Sequence, residues 1–199
     1  MNASVGTRSQ LSGAVEAELA AYRHRVFVER LGWQLPLSEA GFERDEFDRA
    51  DTLYALVRDA RGHICGCARL LPTTGPYLLA DVFPGLLGGL PPPSAPEVWE
   101  LSRYTTEVTH ADADTAEAAR ERFRDLLRAV VEAALSRGAR RLITFSYVGV
   151  ERIARRFGLH VHRAGAVHMI DDRPVLAFWI ELDAQTLEAL GIDVAFVLS

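Results

Sequence analysis

Val98-Trp99-Glu100-Leu101-Ser102-Arg103-Tyr104 is an apolar run with the character of a β-strand, yet it contains one acid and one base. A buried carboxylate or guanidinium is costly without a partner, so such a strand must pair each charge or use it in chemistry. On an ideal strand Glu100 and Arg103 face opposite sides. The strand therefore either contains a bulge or gives the two residues separate partners.

Four further charged residues lie in similar surroundings. Arg69 lies within an apolar run, Arg23 lies in a helical segment, and Asp45 and Asp48 flank an aromatic residue. We expect all six charges to share one partly buried site. Such a cluster either ties a loop to the sheet as a salt-bridge network or contacts substrate directly, and the sequence leaves both roles open.

Length and composition indicate one domain over residues 1–199, with residues 1–10 expected to be flexible. The 49% hydrophobic content is ample for one core. The sequence has no apolar run of membrane-spanning length and no signal-peptide pattern, which favours a cytoplasmic protein without membrane insertion. Cys65 and Cys67 have neither zinc nor redox spacing and are expected in the core, and the histidines show no metal pattern, so no metal site is predicted.

The hydrophobic pattern predicts a mixed set of helices and strands around a long loop at 34–49. The helices are expected at 15–31, 78–87, 115–137, 150–157 and 183–190, and the strands at 52–58, 63–71, 98–106, 141–147, 161–170 and 175–182. This order indicates an α/β or α+β fold with helices on both faces of a mixed, twisted sheet, and it fits an acyltransferase-type sheet whose central strands splay apart. Nucleotide-binding and serine-hydrolase motifs are missing from the sequence, which disfavours those chemistries.

Several short pieces of the chain, taken together, match a known family. They are Arg23-x-x-x-Phe27, Glu29-Arg-Leu-Gly-Trp33, Asp45-Glu-Phe-Asp48, Arg69 and Glu100-Leu-Ser-Arg103. In this order and at these spacings the chain resembles the acyl-homoserine lactone synthases, the LuxI-type enzymes that make quorum-sensing autoinducers. The likeness extends from Tyr22 to about Leu182. It implies a fold related to the GNAT acetyltransferases.

The resemblance also implies the reaction. The substrates would be S-adenosylmethionine and a fatty acyl thioester of acyl carrier protein, and the products an acyl-homoserine lactone, methylthioadenosine and free carrier. No cofactor is expected, because S-adenosylmethionine is a substrate. The chain has net charge −5, and without a basic stripe it is not expected to bind nucleic acid. Its local basic group of Arg152, Arg155 and Arg156 is expected to bind the acidic carrier.

The candidate site residues have expected functional roles, and some of them could instead be ordinary structural residues. Acylation of an amine needs the ammonium proton removed, and Glu100 is the candidate base, acting directly or through water. From the residues alone Phe27 and Trp33 are ordinary core, but the resemblance places them against S-adenosylmethionine, whose sulfonium an aromatic face attracts. The expected binding set for this substrate is Arg23, Phe27, Trp33, Asp45, Asp48, Arg69, Arg103 and Tyr104.

A tunnel for the acyl chain is expected beside the thioester. Its candidate lining is a helix face and one side of a strand: Phe123, Leu126, Leu127, Val130, Leu142, Thr144 and Ser146. The alternative is that these residues are ordinary core of the protein. The resemblance places Thr144 where a 3-oxo group is often contacted, although a buried threonine can also bond to backbone. Bulky residues on the helix predict an unsubstituted chain of roughly eight carbons. Each methylene bound in the tunnel contributes only ~0.8 kcal/mol, so the preferred chain length is set mainly by where the tunnel closes.

Two other functions fit the same fold class. One is a GNAT-like N-acyltransferase that uses acyl-coenzyme A, although its usual glycine-rich pyrophosphate loop is reduced here to Arg155-Arg156-Phe157-Gly158. The other is a non-catalytic ligand-binding module. Formation of product from S-adenosylmethionine and an acyl carrier distinguishes the three.

Overall fold

The computed structural model describes residues 2–35, 40–107 and 115–193. Its strands are β1 (Asn2–Thr7), β2 (Leu53–Arg58), β3 (Ile64–Pro72), β4 (Val98–Thr106), β5 (Arg141–Tyr147), β6 (Val161–Arg163), β7 (His168–Ile170) and β8 (Arg173–Glu181). Its α-helices are α1 (Gly13–Arg23), α2 (Leu78–Asp81), α3 (Ala116–Leu135), α4 (Val148–Arg156) and α5 (Ala184–Leu190). A π-helix (His24–Arg30) continues α1, and 3-10 turns occupy Arg8–Gln10 and Pro84–Leu87.

The strands hydrogen-bond in the order β1-β2-β3-β4-β5-β8-β6, and β7 pairs with β8. β4 and β5 are parallel, whereas β1–β2, β5–β8, β6–β8 and β7–β8 are antiparallel. The β4–β5 ladder covers only Val98–Leu101 against Arg141–Thr144 and then stops, while β5 stays paired with β8 along its whole length. This mixed sheet with its interrupted central ladder confirms the predicted fold class.

The chain forms two compact units, each made of two stretches. Unit 1 is Met1–Arg69 with Arg103–Val130, and unit 2 is Leu70–Ser102 with Val131–Ser199. In unit 1, α1 and the π-helix bury one apolar face, including Leu19, Tyr22 and Val26, against β2 and β3. The spacing of three and four residues places these side chains on one side of the helix. Cys67 belongs to the same core and is not part of a disulfide, as expected.

Unit 2 is organised by the long antiparallel pairing of β5 with β8, whose central residues are almost fully buried. Asp183 caps α5 by accepting a hydrogen bond from the backbone of Thr186 at 3.2 Å, which satisfies an otherwise unpaired N–H of the first turn. Among the described residues, no helix combines the length and the hydropathy needed to cross a membrane.

The element boundaries differ from prediction mainly at chain segments with weak patterns. Residues 2–10, where flexibility is expected from the sequence, contain β1 and a 3-10 turn, because β1 pairs with β2 residue by residue from Asn2 to Thr7. The single helix predicted at 78–87 is two short helical pieces separated at Val82–Phe83. The strand predicted at 161–170 is likewise two strands, β6 and β7, both paired with β8.

Candidate active site

Three arginines and three carboxylates interlock in unit 1. We call this set the charged network; its members are Arg23, Glu43, Asp45, Asp48, Arg69 and Arg103. Arg69 and Glu43 are fully buried at 0% exposure, and Arg23 is 2% exposed. Five of the six charged residues expected to share a site are therefore in direct contact, and Glu43 is an addition that the sequence did not identify.

The arginines bridge the acids in alternation. Arg23 donates from Nε to Glu43 and from Nη1 to Asp48 at 2.8 Å. Arg69 Nη1 donates to Asp48 at 2.9 Å and to Asp45 at 2.5 Å. Arg103 Nη2 completes the set with Glu43 at 3.0 Å and Asp45 at 2.8 Å. Each arginine thus binds two carboxylates, and removing one carboxylate leaves two buried arginines with one acidic partner each.

This pairing outweighs the effect of burial on the acids. Burial alone would raise the pKa of Glu43, but the guanidinium groups of Arg23 and Arg103 lower it to about 2. Burial likewise opposes ionisation of Asp48, yet Arg23 and Arg69 hold its pKa well below the usual range. Both carboxylates are therefore negative at neutral pH, and the network is an ionic cluster rather than a store of protons.

The loop that supplies the acids is fastened by its own hydrogen bonds. Asp48 accepts from the backbone N–H of Asp45 at 2.9 Å and from the hydroxyl of Tyr54. Burial, together with the Asp48 carboxylate, raises the pKa of that hydroxyl. Phe47, which belongs to this loop, is buried at 3% exposure. The described part of the predicted loop is thus tied to β2 and β3, while residues 36–39 lie outside the described residues.

Arg103 has an unusual backbone. Its φ is 52°, in the left-handed region that a non-glycine residue seldom adopts. The alternation of side chains along β4 is therefore broken at this position. Glu100 and Arg103 also have separate partners, since Glu100 accepts from Leu78 and Leu79 whereas Arg103 donates to Glu43 and Asp45, so both predicted alternatives apply. The guanidinium carbon of Arg103 lies 5.6 Å from the ring centre of Phe27 and 5.2 Å from that of Trp33.

Phe27 and Trp33 form a stacked ring pair. Their ring centroids are 4.6 Å apart with an angle of 25° between planes. Phe27 belongs to the π-helix, and the backbone N–H of Trp33 donates to the Phe27 carbonyl at 2.9 Å. The two aromatic residues assigned to substrate by resemblance are therefore in contact with each other and beside an arginine of the charged network.

Glu100, the candidate base, lies in unit 2 and is fully buried at 0% exposure. Its carboxylate accepts hydrogen bonds from the backbone N–H groups of Leu79 at 2.6 Å and Leu78 at 3.3 Å, at the start of α2. Burial, with the Glu100 charge as the next cause, raises the pKa of the neighbouring Tyr77. The backbone thus fixes the orientation of this carboxylate, and its assignment as a base stays a prediction.

The remaining predicted residues fall into separate places. Tyr104 donates from its hydroxyl to the Phe123 carbonyl at 2.6 Å and packs edge-on against that ring, so its described contacts are with α3 rather than the charged network. In unit 1 the helix face is buried, with Leu126 and Val130 at 0% exposure. In unit 2, Leu142, Thr144 and Ser146 alternate along β5, and Thr144 donates to the Leu101 carbonyl at 2.7 Å.

The basic group on α4 is at the surface. Arg152, Arg155 and Arg156 are all exposed, and Arg155 pairs with Glu151 at 3.0 Å. Glu151 also binds Arg163 at 2.9 Å, so a fourth arginine extends this basic surface. Arg163 was missed because it lies outside the helical cluster in sequence, on β6.

Known proteins share this arrangement of fold and sequence. Residues 8–190 match the family model for autoinducer synthase. The acyl-homoserine-lactone synthase of Ralstonia solanacearum is 54% identical over 187 residues, covering 94% of this chain and 91% of that protein. The crystal structure of TofI in a ternary complex with an inhibitor and MTA is 50% identical with a TM-score of 0.87, covering 98% of this chain and 100% of TofI.

Two more distant structures mark the breadth of the likeness. BjaI, a CoA-dependent acyl-homoserine lactone synthase solved with MTA, is 27% identical with a TM-score of 0.81, over 94% of this chain and 88% of BjaI. A protein from Lactobacillus plantarum described as an N-acetyltransferase is 21% identical with a TM-score of 0.57, over 92% of this chain and 100% of that one. That last likeness concerns the fold alone and agrees with the predicted GNAT relationship.

Proposed function

The chain belongs to the autoinducer synthase family and is an acyl-homoserine-lactone synthase, and on that premise we propose that it acylates S-adenosylmethionine from acyl carrier protein. The amine nitrogen attacks the thioester carbonyl, and the carrier leaves as its thiol with the proton. The carboxylate of the acylated molecule then displaces the sulfonium, closing the lactone and releasing methylthioadenosine. The MTA bound to TofI and the SAM bound to BjaI support this choice of substrate.

The observation that carries the proposal is the contact of the ring pair with the charged network in unit 1. S-adenosylmethionine presents a sulfonium, an ammonium and a carboxylate. Aromatic faces attract the first, acids attract the second, and guanidinium groups bind the third. Phe27 with Trp33, Asp45 with Asp48, and Arg103 offer these three chemistries within one partly buried cluster.

Glu100 is the proposed base for the acylation step. Only the free amine attacks a thioester, and a carboxylate fixed within a protein can take the proton directly or through one water. The two backbone N–H groups that Glu100 accepts from restrict its rotation. A base held in one orientation does not have to be ordered when the substrate arrives.

The exposed arginines of α4 are the proposed contact for the carrier. Acyl carrier protein is acidic, and a basic surface both steers and orients such a partner. Acyl-coenzyme A is the second candidate donor, because BjaI is CoA-dependent and its fold covers 94% of this chain. An octanoyl group is the proposed acyl chain for either donor.

A donor comparison tests the proposal. The purified protein is incubated with S-adenosylmethionine and either octanoyl-carrier protein or octanoyl-coenzyme A at matched concentrations, and octanoyl-homoserine lactone is measured by mass spectrometry. The proposal requires a kcat/KM at least tenfold higher with the carrier protein. A higher kcat/KM with octanoyl-coenzyme A would make coenzyme A the donor and leave the synthase assignment in place. Absence of product with both donors would reject the octanoyl chain.

A further inference from the structure

The π-helix at His24–Arg30 is the starting point. The backbone N–H of Leu31, directly after this segment, donates to the Val26 carbonyl, five residues back, at 3.0 Å. Hydrogen bonding of this kind is rare; it occurs mostly as single turns inside α-helices and is frequent at functional sites. A segment in this less favourable form needs contacts from elsewhere in the fold to hold it.

Glu107, directly after β4, makes such contacts. Its side chain is 8% exposed, and each carboxylate oxygen forms an ion pair with a different guanidinium of the π-helix. Only the contact with Arg25 also has the geometry of a hydrogen bond. Arg25 Nη2 lies 3.0 Å from Oε2, and Arg30 Nη2 lies 2.5 Å from Oε1. The backbone of Glu107 is itself fixed, since its N–H donates to the Cys65 carbonyl on β3 at 2.7 Å.

The spacing of the two arginines fits a π-helix and not an α-helix. Arg25 and Arg30 are five residues apart, which is the repeat of the π-helical hydrogen bond. At 3.6 residues per turn the same two positions would point about 140° apart around an α-helix. The wider π-helical winding brings the two positions nearer to one side of the helix, where one carboxylate binds both arginines.

The segment held in this way carries Phe27, which lies between the two arginines in sequence. Phe27 stacks on Trp33, and the pair faces Arg103, which lies four residues before Glu107 on the same stretch of chain. We propose that Glu107 is a positioning residue that keeps residues 24–30 π-helical and so holds the ring pair against Arg103. The part of this inference that concerns substrate rests on the proposed role of the ring pair in binding S-adenosylmethionine.

The test compares Glu107→Gln with a double variant, Arg25→Gln with Arg30→Gln. We call the ion pairs of Glu107 with Arg25 and Arg30 the clamp. The two arginine side chains are 50% and 60% exposed, so the double variant removes both guanidinium groups of the clamp while Glu107 stays in place. Arg58→Gln is the matched control, since it breaks a partly exposed pair of Arg58 with Glu18 between α1 and β2.

Two readouts are needed, one independent of substrate. The first is acrylamide quenching of Trp33 fluorescence in full-length chains whose other tryptophans, Trp99 and Trp179, are changed to Phe. The second is steady-state kinetics with S-adenosylmethionine and the acyl donor varied separately. We expect both clamp variants to raise the quenching of Trp33 and to raise KM for S-adenosylmethionine about tenfold, as loss of a charge-assisted contact predicts. Donor KM should change less than twofold.

The outcomes separate the two claims. Quenching and KM equal to those of Arg58→Gln in both clamp variants would overturn the positioning role. Increased quenching with an unchanged KM for S-adenosylmethionine would support the clamp and overturn the assignment of the ring pair to that substrate. A rise in KM for S-adenosylmethionine without a change in quenching would show that Glu107 does not position the ring pair. That result would also reject the positioning role.

Discussion

Replacing Glu43 by Gln perturbs the charged network at its most buried acid. The variant keeps the shape of the side chain but removes the charge that Arg23 and Arg103 share. Each arginine retains one other carboxylate, Asp48 or Asp45. The expected loss is therefore that of one ionised group within a cluster that otherwise stays paired.

Its magnitude follows from the proton affinity of Glu43. The pKa falls from the usual 4.5 to about 2, and a tenfold change in proton affinity is worth about 1.4 kcal/mol, so the ionised carboxylate contributes about 3 kcal/mol to the free energy of unfolding. Because the folded pKa is the lower one, this contribution is complete above pH 4.5 and is lost as the pH falls towards 2. At pH 3 about 1.4 kcal/mol should remain.

Urea unfolding followed by far-ultraviolet circular dichroism at pH 7 and pH 3 measures both values. Glu43→Gln should be about 3 kcal/mol less stable than wild type at pH 7, and the difference should shrink by about half at pH 3. Glu46→Gln is the matched control in the same loop, since Glu46 is exposed and should change stability by less than about 0.5 kcal/mol. A loss at pH 7 below about 1 kcal/mol, or an equal loss at both pH values, would refute the ionic account of the network.

Other changes test the proposed chemistry. Glu100→Gln should lower the kcat of the folded protein by about 10²- to 10⁴-fold and should also lower the thermal midpoint, because the amide nitrogen cannot accept one of the two backbone N–H bonds; activity within about threefold of wild type would reject Glu100 as the base. Asp48→Asn should impair turnover and lower the thermal midpoint together, because Arg23 and Arg69 both lose a partner; normal turnover would make the network purely structural. Arg152→Glu with Arg156→Glu should raise KM for acyl-carrier protein, and added salt should reproduce the defect, because surface attraction is screened within about 10 Å at 0.1 M; an equal rise in KM for S-adenosylmethionine would contradict a carrier surface. Among carriers loaded with four to twelve carbons, octanoyl should give the highest kcat/KM, and a preference for a 3-oxo chain would reject the unsubstituted pocket.

The sequence predicted the elements whose patterns are local. The bounds of β4 and β5 agree with prediction at both ends. Charges within apolar strand runs marked Arg69 and Arg103 for the network, and a charge in an apolar-faced helical segment marked Arg23, before any contact was known. These residues are identifiable because burial of a charge without a partner is so unfavourable.

The rest depends on tertiary contacts that leave little local trace. Glu43 and Glu46 lie in one acidic segment, yet the first is fully buried and the second exposed, and only the positions of Arg23 and Arg103 distinguish them. The π-helix has the same apolar spacing as an ordinary helix, and the contact that we propose selects it comes from Glu107, which follows β4 and is distant in sequence. β1 is short of bulky apolar residues, so its pairing with β2, rather than its own pattern, makes it a strand.

Isotope tracing of the product tests the central claim most directly. Purified protein is supplied with unlabelled octanoyl-carrier protein and with S-adenosylmethionine that carries carbon-13 at the four carbons from its carboxyl carbon to the carbon bonded to sulfur. The lipid-extractable product is analysed by mass spectrometry. The account predicts octanoyl-homoserine lactone with all four label atoms in the lactone ring and an equal amount of unlabelled methylthioadenosine nucleoside. A product that carries no label, or release of free octanoate without any lactone, would contradict it.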